Sequence, residues 1–125
     1  MQGLYKAWGV RSILDLARAA NSVPPPDFAA LFPAVAGNND EIARDVLREA
    51  GRELAQVACV VIQRLFVKEE TIVPVAMTGG VFRHAEIVRQ VFYNELRKRD
   101  PRVQVNPVVV DPVEGALRIA RRAGA

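Results

Sequence analysis

The sequence has little to offer redox, metal or disulfide chemistry. Its 125 residues include one cysteine, Cys59, and one histidine, His84. A lone cysteine excludes an internal disulfide and a thiolate metal cage within the chain. Cys59 sits inside the apolar run 57–62 with nothing basic beside it, the setting of a small core residue rather than a reactive thiol. His84 precedes a helix and reads as a surface or capping residue. Aromatics make up 6% of the chain and do not alternate with the basic residues. The formal charge is only +3, and the arginines are spread along helices with acids between them. Both features argue against nucleic acid as a partner. No run of about 18 apolar residues is present, so no membrane-spanning helix is expected. The N-terminus lacks a basic start, apolar core and cleavage site. A cytoplasmic protein without a membrane partner is the expectation.

Half of the residues are apolar, enough for one domain with one core. The most informative stretch is 73–82, Val-Pro-Val-Ala-Met-Thr-Gly-Gly-Val-Phe. The apolar run 72–77 is too short for a helix and rich in β-branched residues, which predicts a strand. Apolar residues on both faces suit a parallel strand covered by helices on both sides. Pro74 lacks a ladder donor and belongs at a strand start or on an edge. Gly79 and Gly80 then permit a strand-to-helix turn and the close approach of a ligand to the backbone. A helix beginning near Ala85 would aim its N-terminal amides there and favour an anion. The plain alternative is that the two glycines only let the chain turn.

The remaining elements follow from periodicity and caps. Residues 4–8 and 11–20 predict helices parted by Gly9, the second with Ile13, Leu16, Ala17 and Ala20 as its buried stripe. Pro24-Pro25-Pro26 stops it and acts as a stiff connector. Asp27 caps a short helix containing Phe28, Leu31 and Phe32. Residues 38–66 predict a long helix, with Asn38 and Glu41 as a capping box. Its apolar stripe reads Ile42, Val46, Ala50, Leu54, Val57, Val61 and Leu65. Its last third is apolar all round, so that end should be buried. Residues 85–99 form a helix burying Ile87, Val88, Val91, Phe92 and Leu96, with basic residues offsetting the dipole at its end. Residues 103–110 predict a second strand, most apolar at Val108-Val109-Val110. Asp111-Pro112-Val113-Glu114 starts a last helix with Gly115 and Ala116 for close packing and Leu117, Ile119 and Ala120 for apolar contacts. Alternating strand and helix argues for an α/β layer with parallel strands. Two strands leave unpaired edges, so the chain is expected to be part of something larger or to self-associate.

These pieces, in their order, resemble the C-terminal part of the BadF/BadG-type ATPase family, which includes N-acetylglucosamine kinases and belongs to the actin-like and sugar-kinase superfamily. The matching residues are Phe28-Ala29-Ala30-Leu31; the stretch 37–51 with Asp40, Ala43, Leu47 and Ala50; Glu53-Leu54-Ala55; Val75 to Phe82; and Pro112-Val113-Glu114-Gly115-Ala116-Leu117 with Ala120. The resemblance implies a partial ribonuclease H-like domain spanning 1–125, the C-terminal portion of the second lobe. It also implies a cofactor, ATP. Thr78, Gly79, Gly80 and Val81 would line the nucleotide cleft through backbone amides. Phe82 would lie near the adenine or pack beneath the turn.

The departures from the family bear on activity. Its members hold phosphates and magnesium with Asp-x-Gly loops. None of Asp15, Asp27, Asp40, Asp45, Asp100 and Asp111 is followed two residues later by glycine. The sugar-kinase catalytic Asp, a first-lobe residue, has no counterpart either. Phosphoryl transfer depends on positioning and on neutralising phosphate charge, so the chain is expected to lack catalytic and metal residues and not to turn over alone. The related dehydratase activators hold an iron–sulfur cluster through more than one cysteine per chain, a role Cys59 alone does not fit. The expected partners are a nucleotide, weakly held, and the missing N-terminal lobe or a homodimer partner. The alternative is a non-catalytic, self-associating interaction protein derived from that fold.

Overall fold

A computed structural model describes residues 2–67 and 71–124. Contacts divide the chain into two compact units, Met1–Asp45 and Val46–Ala125. In the first, α1 (Gln2–Trp8) ends at Gly9, whose φ of +64° is a left-handed turn that a side chain resists. The next helix, α2 (Ile13–Ala20), starts at Ser12, whose hydroxyl accepts from the Asp15 amide at 3.1 Å. A 3-10 turn over Phe28–Leu31, capped by Asp27, leads into α3 (Phe32–Ala36). Trp8 ties the unit together. Its indole N–H donates to the Asp27 carbonyl at 3.1 Å, and its ring meets Phe28 edge-to-face at 5.3 Å. The stripe expected on α2 is not buried: Ile13 and Ala17 face water, and Leu16 and Ala20 are half-covered. A unit this small has too little chain to enclose a core.

The second unit is built on α4 (Glu41–Leu65), which begins within the first unit. Asp40 caps it, accepting from the Ile42 amide at 3.0 Å through its carboxylate. Asn38, expected as the cap, instead accepts from the Asp40 amide at 3.1 Å. A charged acceptor next to the first turn takes the position.

The face that α4 buries also differs from the expectation. The buried residues are Leu47, Gly51, Ala55, Cys59 and Ile62. Of the stripe read from periodicity, Ala50 is half-covered, and Ile42, Val46, Leu54, Val57, Val61 and Leu65 are exposed. The row with Gly51, Ala55 and Cys59 at its centre wins because α6 (Glu86–Arg99) comes so close. A Cβ on Gly51 would lie 2.9 Å from the Val91 Cβ and 3.1 Å from the Val88 carbonyl. A bulky row cannot reach that separation. The last third of α4 is therefore covered on one side only, and Val57, Val60 and Val61 remain in water. Cys59 is a core residue as expected, with the Gln63 side-chain amide 3.5 Å from its sulfur.

Val88 and Leu96 of α6 are fully enclosed, and Phe92 is buried with them. The strands β1 (Val73–Val75) and β2 (Val103–Val105) pair in parallel, with Val73 opposite Val103 and Val75 opposite Val105. The chain is mainly helical with a short parallel sheet, an arrangement compatible with an α/β fold. Helices cover one sheet face, not both: Val73, Met77, Val103 and Val105 are buried, while Pro74, Ala76 and Gln104 are exposed. Pro74 is the second strand residue. The second strand stops at Val105 instead of running to Val110. Pro107 follows, and the Asn106 side chain accepts from the Val108 amide at 3.0 Å, turning the chain outward. Val110 alone returns, bridging Thr78.

The last helix, α7 (Pro112–Ala123), has the expected cap, with Asp111 accepting from the Val113 amide at 2.9 Å. Its expected packing is absent. Leu117, Ile119 and Ala120 are exposed and Gly115 is only half-covered. The ion pairs Glu49–Arg52 and Glu114–Arg118 lie on exposed helix faces, as expected of solvated charge.

Candidate functional site

The turn after β1 is held by three hydrogen bonds to residues 106–110. Beyond Val75, the Asn106 amide donates to the Val75 carbonyl and the Val110 amide to the Met77 carbonyl, each at 2.8 Å. The Thr78 hydroxyl donates to the Val110 carbonyl at 3.1 Å. The chain can then reverse because Gly79 takes φ +96°, ψ 170°, a conformation that residues with a Cβ resist. Gly80 opens α5 (Gly80–His84), and a Cβ placed on it would meet nothing within 4 Å.

Thr78, Gly79, Gly80 and Val81 are thus brought together on an exposed ridge. Phe82 is turned inward. It is half-buried, and its ring meets Phe92 edge-to-face at 5.1 Å, so it packs beneath the turn. The helix behind the glycines is α5, five residues long, rather than the long helix expected near Ala85. The break between them falls at Ala85, which is extended (φ −116°, ψ 93°). The dipole at the glycines is accordingly that of little more than one turn. His84 lies exposed in the last turn of α5.

Arg89 is a residue that sequence reasoning missed. Its guanidinium donates to the carbonyls of Phe82 at 2.6 Å and Arg83 at 3.1 Å. It caps the C-terminal end of α5 and fastens the turn to α6. The trace it leaves in the sequence is a cation nine residues past Gly80, which points to the site only once the short helix between them is known. Arg89 also lines a cavity of about 230 Å³ with Met77, Glu86, Gln90, Tyr93 and Pro107. This cavity is smaller than an ordinary ligand pocket. Among the described residues, no group of three or more His, Cys, Asp or Glu side chains is placed to hold a metal ion.

A perturbed acid lies away from the glycine turn, beyond the C-terminal end of α6. Asp100 is buried, and Arg102 meets its carboxylate twice through the guanidinium, at 2.6 and 2.9 Å, and once through the backbone amide at 3.0 Å. These bonds to Arg102 hold the carboxyl below its ordinary value, against the opposing effect of burial. Arg102 also donates to the Phe66 carbonyl at 3.1 Å, tying the end of α4 to the start of β2. The cluster is structural, because every group in it is turned toward another.

No helix among the described residues is long and apolar enough to cross a membrane. Comparison with protein-family models, with curated proteins and with solved structures finds no match to this chain.

Proposed function

We propose that this chain is the C-terminal nucleotide-cleft portion of an ATP-dependent sugar- or amino-sugar-kinase-like ATPase of ribonuclease H-like fold, inactive in phosphoryl transfer by itself. One observation carries the reading. The Thr78-Gly79-Gly80-Val81 ridge stands exposed at the carboxyl end of a parallel strand pair, with open space over Gly80. Open α/β sheets bind their ligands at the carboxyl ends of their strands. A glycine there lets phosphate oxygens approach backbone amides. The chain brings no Asp-x-Gly loop to hold magnesium or the transferred phosphate, so the reading assigns it contact with ATP or ADP and no turnover. The ridge lacks a covering second wall, and the affinity expected is weak, roughly 0.1–1 mM.

Calorimetry with ADP tests this. Gly80→Val keeps the fold, because its Cβ enters open space, and should weaken ADP binding about tenfold or more by blocking backbone approach. Binding unchanged in that variant would remove the turn as the site. No heat from the wild-type chain at millimolar ADP would remove the nucleotide reading itself.

A second reading is favoured by a different observation, the uncovered apolar face of α4. In it the chain is a non-catalytic, self-associating interaction protein derived from the same fold.

A further inference from the structure

We propose that the exposed apolar face of α4 is the surface on which a second copy of this chain packs, with the two α4 helices antiparallel. The inference rests on the self-associating reading and names its surface. That face carries Val46, Ala50, Leu54, Val57, Val61 and Leu65, spaced three and four residues apart along five turns. Val57 is 62% exposed, Val61 48% and Leu65 70%. A helix with a second apolar face beside its buried one belongs between two layers, and this unit supplies only one.

The chain as a whole leaves more surface in water than closed bodies of its size do. The chain exposes 9366 Å². A folded monomer of its mass exposes about 6,600 Å², and even the two compact units counted as separate bodies expose only about 7,900 Å². The excess, roughly 1,500 Å² on the stricter count, is shared among α4, α7 and the loops, and it leaves room for the roughly 800 Å² per partner of an ordinary stable interface.

Charge selects a second copy and sets its direction. Glu49 and Glu53 flank the stripe in its first half, and Arg64 lies on the same flank near its end. An antiparallel copy, centred near Val57, sets Leu54 against Val61 and Ala50 against Leu65. It also brings each Arg64 level with the stretch between Glu49 and Glu53 of the other chain. A parallel copy would set these flanks on opposite sides of the seam and leave Arg64 without the pairing. Antiparallel helix dipoles add to the preference.

One competing surface, the outer edge of β1, is blunted. Val73 donates to the Arg102 carbonyl and Val75 accepts from the Asn106 amide. These residues therefore use the β2 side, and residue 74 faces the open side. Pro74 has no N–H to present there, and each strand is three residues long.

Sedimentation equilibrium of the full chain decides the matter. The wild type should sediment at twice 13.7 kDa. The double variant Val57→Asp/Val61→Asp should sediment as a monomer with its helical circular dichroism retained. Glu53→Arg and Arg64→Glu should each raise the dimer Kd about tenfold, and mixing the two variants should restore it. A wild-type monomer at about 0.1 mM overturns both the surface and the self-associating reading. A dimer that survives the aspartates overturns the surface and leaves self-association standing. A Kd unmoved by either charge reversal overturns the antiparallel arrangement.

Discussion

Gly51→Leu is expected to remove most of the folding stability of the Val46–Ala125 unit. The site already lacks room for one methyl group. An ideal Cβ would stand 2.9 Å from the Val91 Cβ, 3.0 Å from its Cγ1 and 3.1 Å from the Val88 carbonyl. None of these is the far end of a flexible side chain, so relief requires α4 and α6 to move apart. Moving them uncovers Ala55, Cys59, Phe92 and Leu96, which belong to one cluster. Adding a single methylene to a packed core typically costs about 1–3 kcal/mol. Gly51→Ala should therefore destabilise by roughly 1–2 kcal/mol, even though alanine is the better helix former by about 1 kcal/mol. Leucine adds a branched side chain and should cost roughly 3 kcal/mol or more. That is most of the stability of a small unit near the low end of the usual 5–15 kcal/mol. Urea denaturation followed by amide exchange in α6 measures the effect. Val91→Ala placed on Gly51→Ala should recover part of the loss, whereas equal losses in the single and double variants would mean that crowding is not the cause.

Arg102→Met is expected to cost roughly 2–3 kcal/mol at neutral pH, and the cost should shrink in acid. The variant keeps much of the aliphatic stem but leaves the Asp100 carboxylate buried without its charged donor. The sign follows from the direction of the shift. Asp100 is held below its ordinary value of 3.8 by its bonds to Arg102. A depressed carboxyl contributes stability that is complete well above the unfolded value and declines as pH falls through that value toward the folded one. Wild type and Arg102→Met should therefore differ most near pH 7 and converge below 3.8. Denaturation midpoints measured across that range test this. A difference that stays constant with pH would show that the arginine acts through packing and its bond to the Phe66 carbonyl alone.

Local chemistry made some of this legible from the residues. Asp111-Pro112 gives an acceptor and a preset φ at a helix start, and α7 begins there. Gly79-Gly80 after a β-branched run signals a turn out of a strand, and the chain turns there. The face that α4 buries was not legible in this way. Its sequence carries two apolar rows, one bulky throughout and one small at its centre, and helical periodicity weights the bulky row. What selects the small row is the approach of α6, a tertiary fact read only from the partner helix. The same limit applies to Asp100 and Arg102. Two residues apart after a helix they look like solvated charge, and only the Phe66 carbonyl, 36 residues earlier, makes the pair part of the core. At the candidate site, the exposed ridge was legible and the fastening by Arg89 was not, because it acts on α5, a five-residue helix too short to show in periodicity. Val108 to Val110 misled through composition: β-branched residues fit a strand, but Asn106 and Pro107 had already turned the backbone away.

The position of Trp8 governs what optical experiments on this chain can see. It is the sole indole in the sequence, and it belongs to the Met1–Asp45 unit, clasped by Asp27 and Phe28. Its emission therefore reports the loosening of a region with no enclosed side chain among its described residues. The enclosed cluster around Leu96 has Tyr93 as its nearest phenol and no intrinsic fluorophore of comparable strength. A melting curve recorded by tryptophan emission is thus silent about the layer that carries the glycine ridge, and an early transition in it is no sign that the ridge has come apart.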